Sequence, residues 1–237
     1  MAELLVVVPT YNEAESLAAI VARTRRAIPE ADILIVDDAS PDGTGAIADE
    51  LATDPAITVL HRPGKDGLGH AYLAGFAVGI DRGYPFIAEM DADGSHDPAD
   101  LPAMLEIART GADLVIGSRW VPGGSVHNWP WLRTTISRGG NWYSRTILGS
   151  RIRDITAGFR VFRAPALAGL VTHTVSSQGY CFQVELAWQL ERAGGRIVEH
   201  PIAFTERENG RSKMHAGIVT EALVRVTGWG LTRGLRK

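Results

Sequence analysis

The chain has 237 residues, 45% hydrophobic and 22% charged, the balance of an ordinary globular protein. A net charge of −3 gives no global basic field, which excludes a general nucleic-acid binder. The single cysteine, Cys181, excludes a disulfide framework within the chain and predicts a packing thiol in a reducing compartment.

The length suits one large domain or two small ones with a sizeable core. The first apolar run, Leu4–Val8, has no basic segment before it and stops at Pro9, so no signal peptide is predicted. No stretch approaches the roughly 18 apolar residues of a spanning helix. Four more runs rich in Val, Ile and Leu follow: Ile33–Asp37, Ile57–His61, Phe86–Met90 and Leu114–Ser118. None alternates with polar residues, as expected of strands buried on both faces. Helical patterns lie between them over Glu13–Ile28, Thr44–Leu51, Leu68–Asp81 and Pro98–Arg109. Asp97 is the predicted N-cap of the last, with Pro98 at its first position. This order predicts an α/β fold with a mostly parallel sheet flanked by helices. Ligands of such sheets bind at the carboxyl ends of the strands. Polar clusters gather there: Pro9–Glu13, Asp37–Asp42, Asp91–Asp97 and Ser118–Trp120.

The second half is less regular. Residues 119–153 hold six arginines, no acidic residue and four of the six tryptophans. Trp129 and Trp131 flank Pro130 in what reads as a loop. A helix is expected near Phe182–Ala193, a strand near Ile197–Phe204, a basic loop over Arg207–Lys213, and a final helix from Ile218 toward Lys237. A soft boundary near Ser118 separates 1–118 from 119–237 within one compact unit.

The segment "EMDADGSHDP", residues 89–98, places Asp91 and Asp93 at the tip of a predicted strand. Residues i and i+2 of a strand share a face, so both carboxylates would point the same way. Such a sparse pair suits Mg²⁺ or Mn²⁺ completed by phosphate oxygens. A calcium loop fits poorly, since counting from Asp91 its glycine and glutamate positions are His96 and Pro102. A glycosidase pair, which flanks its scissile bond, fits poorly too; a solvated loop before an N-cap remains open. In "VDDASPDGT", residues 36–44, carboxylates after the second strand can accept from a ribose or a base N–H, or serve a capping turn. "GKDGLGHAYLAG", residues 64–75, reads as glycine-based loop–helix packing, with phosphate contact through Lys65 as the alternative. No G-x-G-x-x-G or G-x-x-x-x-G-K-[ST] follows an early strand.

Taken together, "VVVPTYNEAESL", "IVDDASPDGT", "GLGHAYLAGF", "EMDADGSHDP", "GSRW" and "DITAGFRVF" resemble the inverting GT-A glycosyltransferases of family 2, and among them the polyprenol (dolichol) monophosphate mannose synthases. The resemblance runs from Leu4 to about Lys213. It implies a GT-A fold, GDP-mannose as donor, a polyprenyl phosphate as acceptor and Mg²⁺ or Mn²⁺ as cofactor. By residue, it implies that Pro9, Tyr11, Glu13 and Asp38 hold the nucleotide, while Asp91, Ala92 and Asp93 meet the diphosphate. Asp91 and Asp93 would also hold the metal. Ser95, where many relatives carry glutamine, would add a hydroxyl directly or through water. Arg119, Arg133, Arg207 and Lys213 match phosphate-binding positions, the last two on the donor side and the first two, with Ser137, on the acceptor side. Asp154 matches an acidic residue near the acceptor, as an orienter of a cation or of the sugar, as a base, or as a structural hydrogen-bonder. Catalysis would then fall to Asp91, Asp93, Asp154 and Arg119.

A lipid acceptor implies contact with a membrane surface, on the cytoplasmic face, or with a membrane-embedded partner protein. The Trp–Arg segment suits an interface of rings among headgroups and cations on phosphates, or a core. The stripe Ile218, Ala222, Val226, Trp229 offers a second such contact. Transfer from a UDP-sugar, including glucosyl transfer to the same lipid, is the alternative within the class. A non-catalytic nucleotide-sugar binder would have lost a metal carboxylate or Arg207 and Lys213, and a dinucleotide oxidoreductase would carry the missing glycine fingerprint.

Overall fold

The structure is a computed structural model that describes residues 2–171, 180–206 and 216–232. Nine strands are β1 (Leu4–Thr10), β2 (Asp32–Asp37), β3 (Ile57–His61), β4 (Phe86–Glu89), β5 (Leu114–Ser118), β6 (Ser125–His127), β7 (Arg160–Arg163), β8 (Ile197–Pro201) and β9 (Ala203–Thr205) among the described residues. The helices are α1 (Leu17–Ala27), α2 (Thr44–Leu51), α3 (Leu68–Asp81), α4 (Leu101–Arg109), α5 (Trp131–Leu148), α6 (Ala164–Val171), α7 (Tyr180–Arg192) and α8 (Ala216–Thr232). Seven strands form one sheet in the order β3-β2-β1-β4-β7-β5-β8, and β6 pairs with β9 at its side. In the large sheet β7 runs antiparallel to both neighbours, β4 and β5, while the other pairings are parallel.

Alternation along each strand sends successive side chains to opposite faces, and both faces are covered. Leu5, Val7, Leu34, Val36 and Ile87 pack toward α3, α6 and α7. Leu4, Val6, Val8, Ile33 and Ile35 pack toward α1, α2 and α4. α3 lies flush on the sheet because Gly75 and Gly79 face it: a Cβ at Gly75 would stand 2.4 Å from Val7, and one at Gly79 2.7 Å from Ile87. Within residues 64–75, Gly75 thus serves the loop–helix packing expected there, and Gly79 beyond the segment extends it.

Several expectations need correcting. α1 starts at Leu17 rather than Glu13, because Glu13–Ser16 forms a turn in which Ser16 and Leu17 N–H both donate to Glu13 C=O. β4 ends at Glu89, so Asp91 and Asp93 lie beyond the strand, in a turn through Gly94 at φ 75°. The strand expected near Ile197–Phe204 is two strands, β8 and β9, in different sheets. Trp131 does not lie in a loop but opens α5, an 18-residue helix. Two residues of the stripe on α8 pack inward: Val226 is buried and Trp229 stacks on Trp188 with ring centroids 5.8 Å apart, while the Ile218 side chain lies outside the described ones. Leu223, Val224 and Leu231 are the exposed apolar residues of that helix. Cys181 is buried, as a packing thiol should be. Arg207 and Lys213 lie outside the described residues.

Candidate active site

The carboxyl ends of β1, β2 and β4 meet on one rim. Two loops there are stitched together: Asn12 N–H donates to Ser40 Oγ at 3.1 Å, Glu13 N–H to Thr44 Oγ1 at 2.9 Å and Ala14 N–H to Asp42 Oδ2 at 3.2 Å. Asn12 and Ala39 hold φ near 58° and 53°, a region that residues other than glycine enter rarely and mainly where function demands it. Burial acts upward on the Asp42 carboxyl, but hydrogen bonds from Thr44 and Ala14 together carry it below its ordinary range. Asp37 is structural, accepting from Thr10 Oγ1 and from Ser40. Asp38 is buried and bonded to Arg62 Nη1 at 2.5 Å. Lys65 Nζ sits 4.1 Å from the centre of the Tyr11 ring. Pro9 is buried within β1, in register with Val36 of β2.

Beyond β4, Asp91 and Asp93 both line a cavity of about 180 Å³, together with Ser95, Arg119, Arg133 and Ser137. Ala92, between the two aspartates, is buried. The turn is preset from several sides. Tyr72 donates its phenol O–H to Asp91 Oδ1 at 3.0 Å, Ser95 N–H donates to Asp93 Oδ1 at 3.0 Å, and Asp91 N–H donates to His96 Nδ1 at 3.3 Å. Burial, opposed by Asp93, lowers His96 to about 4, so the ring is neutral at pH 7 with its proton on Nε2. It is clamped between Phe159 and Phe204, at 5.0 and 5.3 Å. Ser95 Oγ is buried without a hydrogen-bond partner. Two carboxylates and an orphaned hydroxyl are hard oxygen donors that fit Mg²⁺ or Mn²⁺. Among the described residues no group of three or more His, Cys, Asp or Glu could hold a metal.

On the other wall stands a buried ion pair. Asp154 is fully buried and accepts from Arg119 N–H at 2.8 Å, Nε at 2.7 Å and Nη2 at 2.6 Å. Asn141 Nδ2 adds a fourth donor at 3.2 Å, and Asp154 N–H donates to Glu199 Oε1 at 2.9 Å. Aromatic rings complete the cage: Arg119 lies 5.5 Å from both Trp129 and Phe204. Arg133, on α5, lies 4.2 Å over Trp129 and is paired with Glu206 at 2.5 Å. The tryptophans thus divide: Trp120 and Trp129 pack against arginines, while Trp131 and Trp142 are 77% and 67% exposed.

Beneath the site lies a second buried pair, Glu89 and Arg160, both 0% exposed and 3.3 Å apart. Arg160 donates to the Ala157, Gln183 and Ile155 carbonyls at 2.7, 2.9 and 2.8 Å. Burial raises the Glu89 carboxyl to about 8 despite Arg160, and the neighbouring Asp91 pushes the same way.

The cavity brings together Asp91, Asp93, Ser95, Arg119, Arg133 and Ser137, with Asp154 directly behind Arg119. Tyr11, Glu13 and Asp38 belong to the neighbouring rim, in the loops after β1 and β2. Sequence reasoning missed Arg62, Tyr72, His96 and Asn141. The "GLGHAY" and "GSHDP" segments contained the middle two, but nothing in their spacing aimed them at Asp91.

The solved structure of glucosyl-3-phosphoglycerate synthase from Mycobacterium tuberculosis, in complex with Mn²⁺, UDP-glucose and phosphoglyceric acid, superposes with a TM-score of 0.73 at 16% identity, covering 96% of this chain and 80% of that one. The fold is of the GT-A type, the architecture of a class of glycosyltransferases. Residues 5–170 match Glycosyl transferase family 2, and the chain belongs to that family. It is 56% identical to the undecaprenyl-phosphate mannosyltransferase of Micrococcus luteus, over 98% of this chain and 97% of the relative. It is 54% identical to the polyprenol monophosphomannose synthase of Mycolicibacterium smegmatis, over 96% of this chain and 86% of the relative.

Proposed function

We propose that the protein transfers mannose from GDP-mannose to a polyprenyl phosphate, with inversion, using Mg²⁺ or Mn²⁺ held by Asp91, Asp93 and Ser95. The observation that carries this reading is the cavity: carboxylates on one wall, Arg119 and Arg133 on another, and an apolar side formed by Ile136, Tyr143 and Leu223 from α5 and α8. An acceptor that is anionic at its head and hydrocarbon in its tail has that polarity. The names of the two relatives specify a mannose product and a polyprenol-type acceptor.

In the transfer, a phosphate oxygen of the acceptor bonds to the anomeric carbon while the bond to the β-phosphate breaks. The electron pair leaves with GDP, and a single displacement inverts the centre. The bound cation would neutralise charge on the departing diphosphate. The acceptor phosphate has a second pKa near about 6 and is largely dianionic at neutral pH, so no side chain has to remove a proton from it. Asp154 accordingly acts through Arg119: both its oxygens accept from that guanidinium, which presents a rigid, oriented cation to a phosphate. Arg133 supplies a second cation. Tyr11, Glu13 and Asp38 are the donor-side residues, joined by Arg207 and Lys213 from the segment outside the described residues.

No described helix is long and apolar enough to cross a membrane. Trp131, Leu132, Ile136 and Trp142 on α5 and Leu223 and Val224 on α8 are an exposed apolar set, of which Ile136 and Leu223 also line the cavity. We assign it to the surface of the bilayer that holds the acceptor.

The test is transfer of labelled sugar to polyprenyl phosphate from GDP-mannose, GDP-glucose, UDP-glucose and UDP-GlcNAc in parallel. Labelled lipid from GDP-mannose alone, abolished by EDTA and restored by Mg²⁺ or Mn²⁺, is the expected result. Transfer from a UDP-sugar would overturn the donor, and activity indifferent to EDTA would overturn the metal.

A further inference from the structure

The aromatic cluster under the site contains one polar atom that its packing does not explain. Tyr72, on α3, is fully buried and stacks with Phe76 at 5.8 Å and with Phe182 at 6.2 Å. A third phenylalanine would fill that place equally well. The hydroxyl instead reaches the cavity wall and donates to Asp91 Oδ1 at 3.0 Å, from a helix held against the sheet by Gly75 and Gly79. Asp91 stands beside a like charge, since Asp93 is two residues on and lines the same cavity.

We propose that Tyr72 is a positioning residue that sets the Asp91 carboxylate for a small octahedral cation and thereby selects Mn²⁺ or Mg²⁺ over Ca²⁺. This rests on the reading of Asp91 as a metal ligand. A carboxylate tethered through one oxygen keeps its plane. It cannot turn to offer both oxygens to one ion without breaking the phenol bond. Mg²⁺-like ions take one oxygen per carboxylate in a near-ideal octahedron, whereas Ca²⁺ accepts bidentate carboxylates at a higher coordination number. Removing the phenol bond should therefore weaken the small ions and leave Ca²⁺ nearly untouched. The phenol O–H is also prepaid order, since it holds the ligand before any ion arrives.

Tyr72→Phe removes the hydroxyl and keeps the ring. Binding of Mn²⁺ is followed by electron paramagnetic resonance on the full chain with GDP present, and Ca²⁺ is titrated as competitor. We expect the Mn²⁺ Kd to rise about tenfold or more, the effect of losing one hydrogen bond to a charged group. The Ca²⁺ Kd should move less than about twofold. Phe76→Leu serves as the comparison: it damages the same cluster and lowers Tm, but should leave the Mn²⁺ to Ca²⁺ ratio as in the wild type. An unchanged ratio in Tyr72→Phe, or the same change in Phe76→Leu, overturns the positioning role and leaves the metal reading intact. Wild-type protein that binds no Mn²⁺ overturns both.

Discussion

At the residue scale, the Arg119–Asp154 pair sets the terms for substitution. A guanidinium meets a carboxylate through two parallel bonds and an ammonium cannot. Arg119→Lys should therefore lower kcat for lipid mannosylation by about 10²-fold or more, a loss of about 2.7 kcal/mol or more of transition-state stabilisation. GDP binding, measured by calorimetry, should change little; a variant with normal kcat would remove Arg119 from the mechanism. Glu89 makes a different prediction. Its carboxyl is raised from 4.5 to about 8, chiefly by burial. A group of this kind holds its proton more tightly in the folded state. Its contribution to stability is complete below about pH 4.5 and is lost as pH rises to about 8. Glu89→Gln, an uncharged isostere, should remove that loss. Urea midpoints of variant and wild type should diverge from about pH 5 to about pH 8, in favour of the variant. Parallel curves would show that Glu89 does not titrate there. Much of the site was legible at this scale. Asp91 and Asp93 stood out because two like charges at the end of an apolar run repel each other, which stability alone would not select. Tyr72 and His96 did not, because an aromatic residue at helical spacing and a histidine in a turn look like packing until the fold aims them.

At the scale of elements, legibility followed composition. The first five strands announce themselves through Val, Ile and Leu on both faces. β7 does not: it is four residues long with an arginine at each end. Arg160 can sit at 0% exposure only because three backbone carbonyls and Glu89 surround it, an arrangement no local pattern encodes. α5 was hidden for a related reason. Gly139 and Gly140 lower its helical propensity, and its exposed side carries the tryptophans that an ordinary surface helix would bury. Asn141, Ser144 and Leu148 form its buried stripe, and two of the three are polar. The outward tryptophans test the membrane assignment. Trp131→Ala together with Trp142→Ala should change folding stability by less than about 1 kcal/mol, since both rings are exposed. Sedimentation with vesicles containing anionic lipid should fall about tenfold or more, given the area of two indoles. Unchanged sedimentation would move the docking face elsewhere.

For the whole molecule, the order of strands in the sheet departs from their order in the chain. Parallel strands β3, β2, β1 and β4 are complete by residue 89, yet β5 does not join β4. β7 lies between them, antiparallel to both, and its N-terminal approach carries the Asp154 turn into the cavity. One late strand therefore closes the core and delivers the residue that aims Arg119. The lining of the cavity is drawn from Leu68 to Leu223, so the site exists only once the sheet is whole.

That arrangement also dictates a timetable for a chain emerging from the ribosome. Until residue 163 is available, the inner edge of β4 and both edges of β5 lack their partners, because β8 comes later still. Unpaired edges of apolar strands recruit other chains, and non-local pairing is slow to form. A fragment of residues 1–118 should accordingly aggregate or require a chaperone, although it contains five of the seven sheet strands. Extension to residue 171 should restore most of its solubility, as β7 and α6 cover the gap. Solubility that rises smoothly with length, without a step across 160–171, would mean that the early strands protect themselves and that synthesis need not wait for the strand that completes them.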